Sequence, residues 1–112
     1  MKKVTKRRRA KWPKTVAVGG DVYKIVYTTP NKSRELKTGS TTYYGCVYGK
    51  RKTIYVDKSQ LNKGFILFHE LMHCAIDSVV TDAELHKEEY VRPISHVLYN
   101  SLREAGFLKE GM

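Results

Sequence analysis

The stretch FILFHELMHCAID, residues 65 to 77, restricts the fold more than any other part of this chain. From Leu61 to about Val79 the pattern is helical, and Ile66, Leu67, Phe68, Leu71, Met72, Ala75 and Ile76 cover more than one face. A helix apolar nearly all round is a buried one, so the rest of the chain has to pack around it. Yet His69, Glu70 and His73 lie inside it. Burying three polar groups is costly unless each finds a partner.

A metal ion removes that cost. Two histidines four apart leave one face of a helix and can converge on a single ion. His69-Glu70-Leu71-Met72-His73 is the HExxH pattern, with two imidazoles as zinc ligands. Glu70, one position round from His69, lies beside the metal. There it can accept a proton from zinc-bound water and pass it to a leaving amine. The plainer account is a core helix whose histidines are satisfied by hydrogen bonds.

A catalytic zinc takes three protein ligands and keeps one position open. The metzincin spacing would need Gly and His where Ile76 and Val79 stand, which excludes that class. The remaining candidates are His86, Glu88, Glu89 and His96 in the segment HKEEYVRPISH. Val91, Ile94, Leu98 and Leu102 mark an apolar stripe on a following helix. Glu89 precedes this stripe and sits where Pro93 frees its carbonyl, so Glu89 is the favoured third ligand. Glu88 points about 100° away. Glu88 and His86 remain the alternatives. An acidic first turn complementing the helix dipole is the ordinary explanation for Glu88 and Glu89. His86 and His96 each read more readily as surface or packed histidines.

The other elements are coarser. Val16–Val18 and Val22–Tyr27 flank Gly19-Gly20-Asp21 and read as a hairpin or two successive strands. Residues 28–40, rich in polar residues with Pro30 and Gly39, read as a loop, part of which could be helical. Residues 41–58 hold the clearest hairpin, two aromatic and β-branched runs around Gly49-Lys50-Arg51-Lys52. Asp57, Ser59 or Asn62 could cap the helix that follows. Thr81-Asp82-Ala83-Glu84 reads as a capping box opening the last helix. That helix is interrupted at Pro93, where a kink or break is expected, and Gly106 stops it. The expected class is α+β: a small sheet followed by two long helices.

Charge is unevenly placed. The chain carries 21 Lys+Arg against 11 Asp+Glu. Residues 1–14 hold eight of those bases and no acid, leaving 13 bases and 11 acids in residues 15–112. The first segment reads as a flexible basic arm on a single domain, 15–112. Arg7, Arg8, Arg9 and Lys11 are its candidate nucleic-acid contacts, with Trp12 as a base-stacking residue. A solubilising terminus or a site for an acidic partner is the alternative. No apolar segment suited to a signal peptide or a membrane span follows the arm. Two cysteines are too few for a disulfide scaffold. A cytoplasmic protein without membrane partners is expected.

The segments KTIYVDKSQLNKGFILFHELMHCAI and EEYVRPISHVLYNSLREAGFL, in that order, resemble small zinc metallopeptidase-like proteins of phages and prophages, related to the ImmA/IrrE family. The resemblance spans roughly residues 16–108 and is most specific at HELMH. It implies a minimal zincin-like fold in the host cytoplasm, a small twisted antiparallel sheet packed on an HExxH helix followed by a second long helix, with His69, His73 and Glu89 as ligands to Zn2+ and Glu70 as general base. Pro93 and the basic arm depart from the pattern. SprT-like proteases, which act on DNA-bound proteins, are a competing resemblance; their later histidine could here be only His86, which follows Leu85 rather than a glycine.

In zincin folds an extended peptide adds to a sheet edge beside the metal. Tyr44, Gly45, Cys46 and Val47 are the candidate edge, with Gly45 and Gly49 allowing close backbone approach. Cys74 reads as a small buried core residue. The expected function is a zinc-dependent endopeptidase acting on a protein or peptide substrate. The alternative is a non-catalytic zinc-stabilised scaffold that binds nucleic acid, or a phage or host protein, through the arm.

Overall fold

Gly19 and Gly20 both take positive φ, +59° and +89°, as a two-residue type I′ hairpin turn demands. They join β1 (Thr15–Val18) to β2 (Asp21–Thr28) in antiparallel register, Val18 opposite Asp21. A Cβ on Gly19 would also collide with the Cβ of Ser78, so the turn packs where only glycine fits. These features come from a computed structural model, which describes residues 12–79 and 88–108.

The polar stretch after β2 carries more structure than a loop. The Thr29 carbonyl accepts from the amides of Lys32 and Ser33. A 3-10 turn over Arg34–Leu36 follows, then β3 (Lys37–Thr38) and β4 (Thr41–Thr42), paired around Gly39. Leu36 is fully buried and anchors the segment. A lone leucine among polar residues gives no periodicity, so the short helical turn allowed within this loop has only a weak signal in the sequence.

β5 (Gly45–Tyr48) and β6 (Thr53–Asp57) form the second hairpin, Tyr48 opposite Thr53. At its tip Lys52, not a glycine, takes the left-handed conformation, φ +48°. The strand order is β1-β2-β6-β5, and β6 runs parallel to β2 with Ile25 opposite Ile54. The sheet is therefore mixed, not antiparallel as expected. Each hairpin is locally encoded, but how two hairpins join is not. The long connection through residues 29–44 lets the second strand of the second hairpin lie beside β2. β6 is buried along nearly its whole length, as a central strand should be.

α1 (Lys63–Val79) begins after Asn62, whose carbonyl accepts from the Ile66 amide at 3.1 Å. Asp57, another candidate cap, instead accepts from the Ser59 amide and hydroxyl. Ile66, Leu67 and Cys74 of α1 pack on Tyr23, Ile25, Ile54 and Val56 of the sheet. Cys74 is thus the core residue it was expected to be.

α2 (Glu88–Glu104) continues through Pro93 without a break; only the hydrogen bond to the Glu89 carbonyl is forfeited. The expected capping box at 81–84 lies outside the described residues. The helix ends as expected at Gly106, φ +81°. The Gly106 amide donates to Arg103 and the Phe107 amide to Leu102, which satisfies the last carbonyls. His96 stacks on Phe65 at 4.2 Å and Tyr99 meets the same ring edge-on at 5.5 Å. His73 faces Glu88 at the other end, so α1 and α2 run antiparallel.

The body takes in more of the N-terminal segment than expected. The Trp12 ring lies 6.1 Å from Tyr27 edge-on, with Lys63 Nζ 5.1 Å from it. The Tyr27 hydroxyl donates to the Pro13 carbonyl at 2.6 Å, and the Ile25 amide to that of Lys14 at 2.8 Å. Trp12, half-buried, is therefore engaged on the body. Arg7, Arg8, Arg9 and Lys11 lie outside the described residues. Among the described residues, no helix is long and apolar enough to cross a membrane.

Candidate metal and catalytic site

The antiparallel packing of α1 on α2 brings three side chains to one point. Glu88 Oε1 lies 3.1 Å from His69 Nε2 and 3.1 Å from His73 Nε2. Glu88 Oε2 is 3.2 Å from His69 Nε2 and 3.8 Å from an Arg92 guanidinium nitrogen one turn along. The carboxylate expected from Glu89 thus comes from Glu88. Glu89 is exposed and does not belong to this cluster. The apolar stripe correctly marked α2 as facing α1, but its phase was misread. Val91, Ser95 and Tyr99 are the buried positions, and Glu88 precedes Val91, Ser95 and Tyr99 by three, seven and eleven residues, on their face. Ile94 and Leu98 are largely exposed.

The donor set suits a cation. One ligand atom from each of His69, His73 and Glu88 lies within 4.8 Å of the others. Four-coordinate zinc with bonds near 2.0–2.1 Å needs ligand atoms only about 3.3 Å apart. The His–Glu distances already approach that spacing. The same geometry serves a hydrogen-bonded cluster in which each Nε2 carries a proton, and zinc would take the place of those protons. His69 Nδ1 is buried with no hydrogen-bond partner among the described residues, so the groups at Nε2 decide its tautomer.

The electrostatics are those of a buried imidazole facing an exposed carboxylate. Burial lowers the His69 pKa, partly offset by the Glu88 carboxylate. Burial opposes charge on Glu88 too, but the two imidazoles outweigh it and hold its pKa below the usual carboxylate range. Glu70 differs. It is buried under β5, and burial, reinforced by the charge of Glu88, pushes its pKa up to about 8.

Glu70, His73 and Glu88 line one cavity of about 440 Å³ together with Gly45, Cys46 and Val47 of β5. Gly45 is essential to this arrangement. A Cβ there would sit 2.8 Å from Ile66 Cγ2 and 3.1 Å from both Cγ and Oε2 of Glu70. Gly49, the other glycine expected to permit close approach, has open space around it. β5 is an end strand of the sheet, so the candidate substrate edge and the candidate general base share one cavity. Tyr44 adjoins it, its carbonyl accepting from the Asp57 amide at 2.7 Å. Cys46 donates to the Glu35 carbonyl at 3.3 Å, and burial pushes its thiol up to about 11, which keeps it a poor nucleophile at neutral pH. His86, the ligand a SprT-like site would require, lies outside the described residues.

Comparison of the chain with family models, with curated proteins and with solved structures finds no match. The functional argument therefore rests on the residues themselves.

Proposed function

We propose that this protein is a zinc-dependent endopeptidase whose metal is held by His69, His73 and Glu88. The observation that carries the reading is the convergence of these three side chains beside a buried glutamate, in a cavity bordered by an end strand. When bound, zinc supplies Lewis acidity and brings a coordinated water's pKa to about 7.

The chain's own groups supply the rest. An extended peptide pairing with the outer edge of β5 is held by backbone hydrogen bonds along Gly45–Val47. Glu70 Oε2, facing that strand, accepts the proton of the attacking water and returns it to the leaving amine. The burial that raises the Glu70 pKa makes it a stronger base than an exposed carboxylate, and a cation nearby draws the value back toward neutrality. Arg92, 3.8 Å from Glu88 Oε2, places a positive charge beside the carboxylate.

The test is Glu70→Gln, assayed with a library of unstructured peptides. The expected result is retained zinc with hydrolysis lost by a factor of about 10² or more. Hydrolysis at the native rate in Glu70→Gln would refute the assignment of the base.

A further inference from the structure

Charge in the body is segregated in a way its small net balance hides. Residues 15–63, the sheet and its connections, hold nine bases and three acids. The described residues 64–79 and 88–108, essentially the helical half, hold two bases and five acids. The three acids of the sheet half are all engaged, Asp21 with Lys52 at 3.3 Å. Asp57 accepts from Ser59. Glu35 accepts from the Ser33 hydroxyl at 2.6 Å and pairs with Arg51 at 3.4 Å.

The excess positive charge has a shaped focus. Lys32, Arg34 and Lys37 line a concavity of about 390 Å³, whose lining contains no acid. All three are exposed, and no described carboxylate pairs with any of them. They do not hang on a slack loop. The Thr29 carbonyl ties down Lys32 and Ser33, buried Leu36 fixes the 3-10 turn, and β3 and β4 close around Gly39. Directly after β4 stand Tyr43 and Tyr44, both exposed, with the Tyr43 amide bonded to the Leu36 carbonyl at 2.8 Å.

We propose that this face, Lys32, Arg34 and Lys37 with Tyr43 and Tyr44, is a docking surface for single-stranded nucleic acid. The three cations neutralise successive phosphates and release their counterions. The tyrosines offer rings on which unpaired bases stack, adding to the phosphate contacts. The site is independent of the N-terminal arm and of zinc. Because Tyr44 leads directly into Gly45, a strand held here lies next to the cavity of Glu70 and Glu88.

The experiment is fluorescence anisotropy of a labelled oligothymidylate titrated with full-length protein over a range of salt concentrations. Lys32→Glu/Arg34→Glu/Lys37→Glu, at exposed positions that leave the core intact, is expected to weaken binding about tenfold or more. It should flatten the slope of log K against log salt by about 2, the share of three single-strand phosphate contacts. Tyr43→Ala/Tyr44→Ala should weaken binding about tenfold with the slope unchanged. Native affinity and slope in the triple variant would overturn the proposal. So would displacement of the oligonucleotide by polyglutamate of equal charge with the tyrosine variant unaffected, which would point to an acidic protein partner.

Discussion

Gly45 lies directly over Glu70: a methyl group on its Cα would stand 3.1 Å from Glu70 Oε2 and 2.8 Å from Ile66 Cγ2. The strand that would carry substrate and the carboxylate that would move the proton are therefore held in contact by the absence of one side chain. Gly45→Ala should cost about 1–3 kcal/mol through overpacking and should lower peptide hydrolysis while zinc content stays the same. Chemical denaturation, elemental analysis and an activity assay on one preparation separate the three. An alanine variant as stable and as active as the native chain would mean that β5 and Glu70 are not coupled.

The pH dependence of the metal-free protein should report Glu70. Its pKa rises on folding from the usual value of 4.5 to about 8. The fold favours its neutral form, so the stabilisation is complete below the unfolded value and lost as pH rises through the folded one. Melting temperatures of metal-free native protein and Glu70→Gln should therefore diverge between about pH 5 and pH 8, the native chain losing stability relative to the variant. Parallel curves would contradict the burial assigned to this carboxylate.

Leu36 should behave as a core residue although its neighbours are polar. It is fully buried where the 3-10 turn meets β5 and β6. Leu36→Ala should destabilise the protein by about 2–5 kcal/mol in urea. A loss below about 1 kcal/mol would show that the segment folds without this anchor.

Ser95 makes the opposite case. Its hydroxyl is fully buried with no hydrogen-bond partner among the described residues. An unsatisfied buried polar group is a liability, so Ser95→Ala should be neutral or stabilise by up to about 1 kcal/mol. A clear loss of stability in the same urea titration would reveal a bond that Ser95 does make.

What the sequence disclosed followed from local regularity. The two hairpins, the HExxH helix and the stop at Gly106 each carry a short-range signature, and each is present. The parallel pairing of β2 with β6 has no such signature, since it depends on which strand of the second hairpin the connection delivers to β2. The choice between Glu88 and Glu89 turned on the phase of α2. Ile94 and Leu98 suggested one phase, but both are exposed, while the buried line runs through Val91, small Ser95 and Tyr99. A serine in a helix interface carries no hydrophobic signal, so the face could not be phased from apolar residues alone. Trp12 shows the same limit of a local pattern. Beside a run of bases it looked like part of the arm, yet its ring packs on Tyr27 under Lys63.

The central claim is that His69, His73 and Glu88 hold a zinc ion, and its most direct test is zinc content by elemental analysis of chelator-free protein. About one zinc per chain is expected in the native protein and in Glu89→Ala, with zinc lost in His69→Ala and strongly reduced in Glu88→Ala. Folded native protein that takes up no added zinc, or equal retention in Glu88→Ala and the native chain, would contradict it.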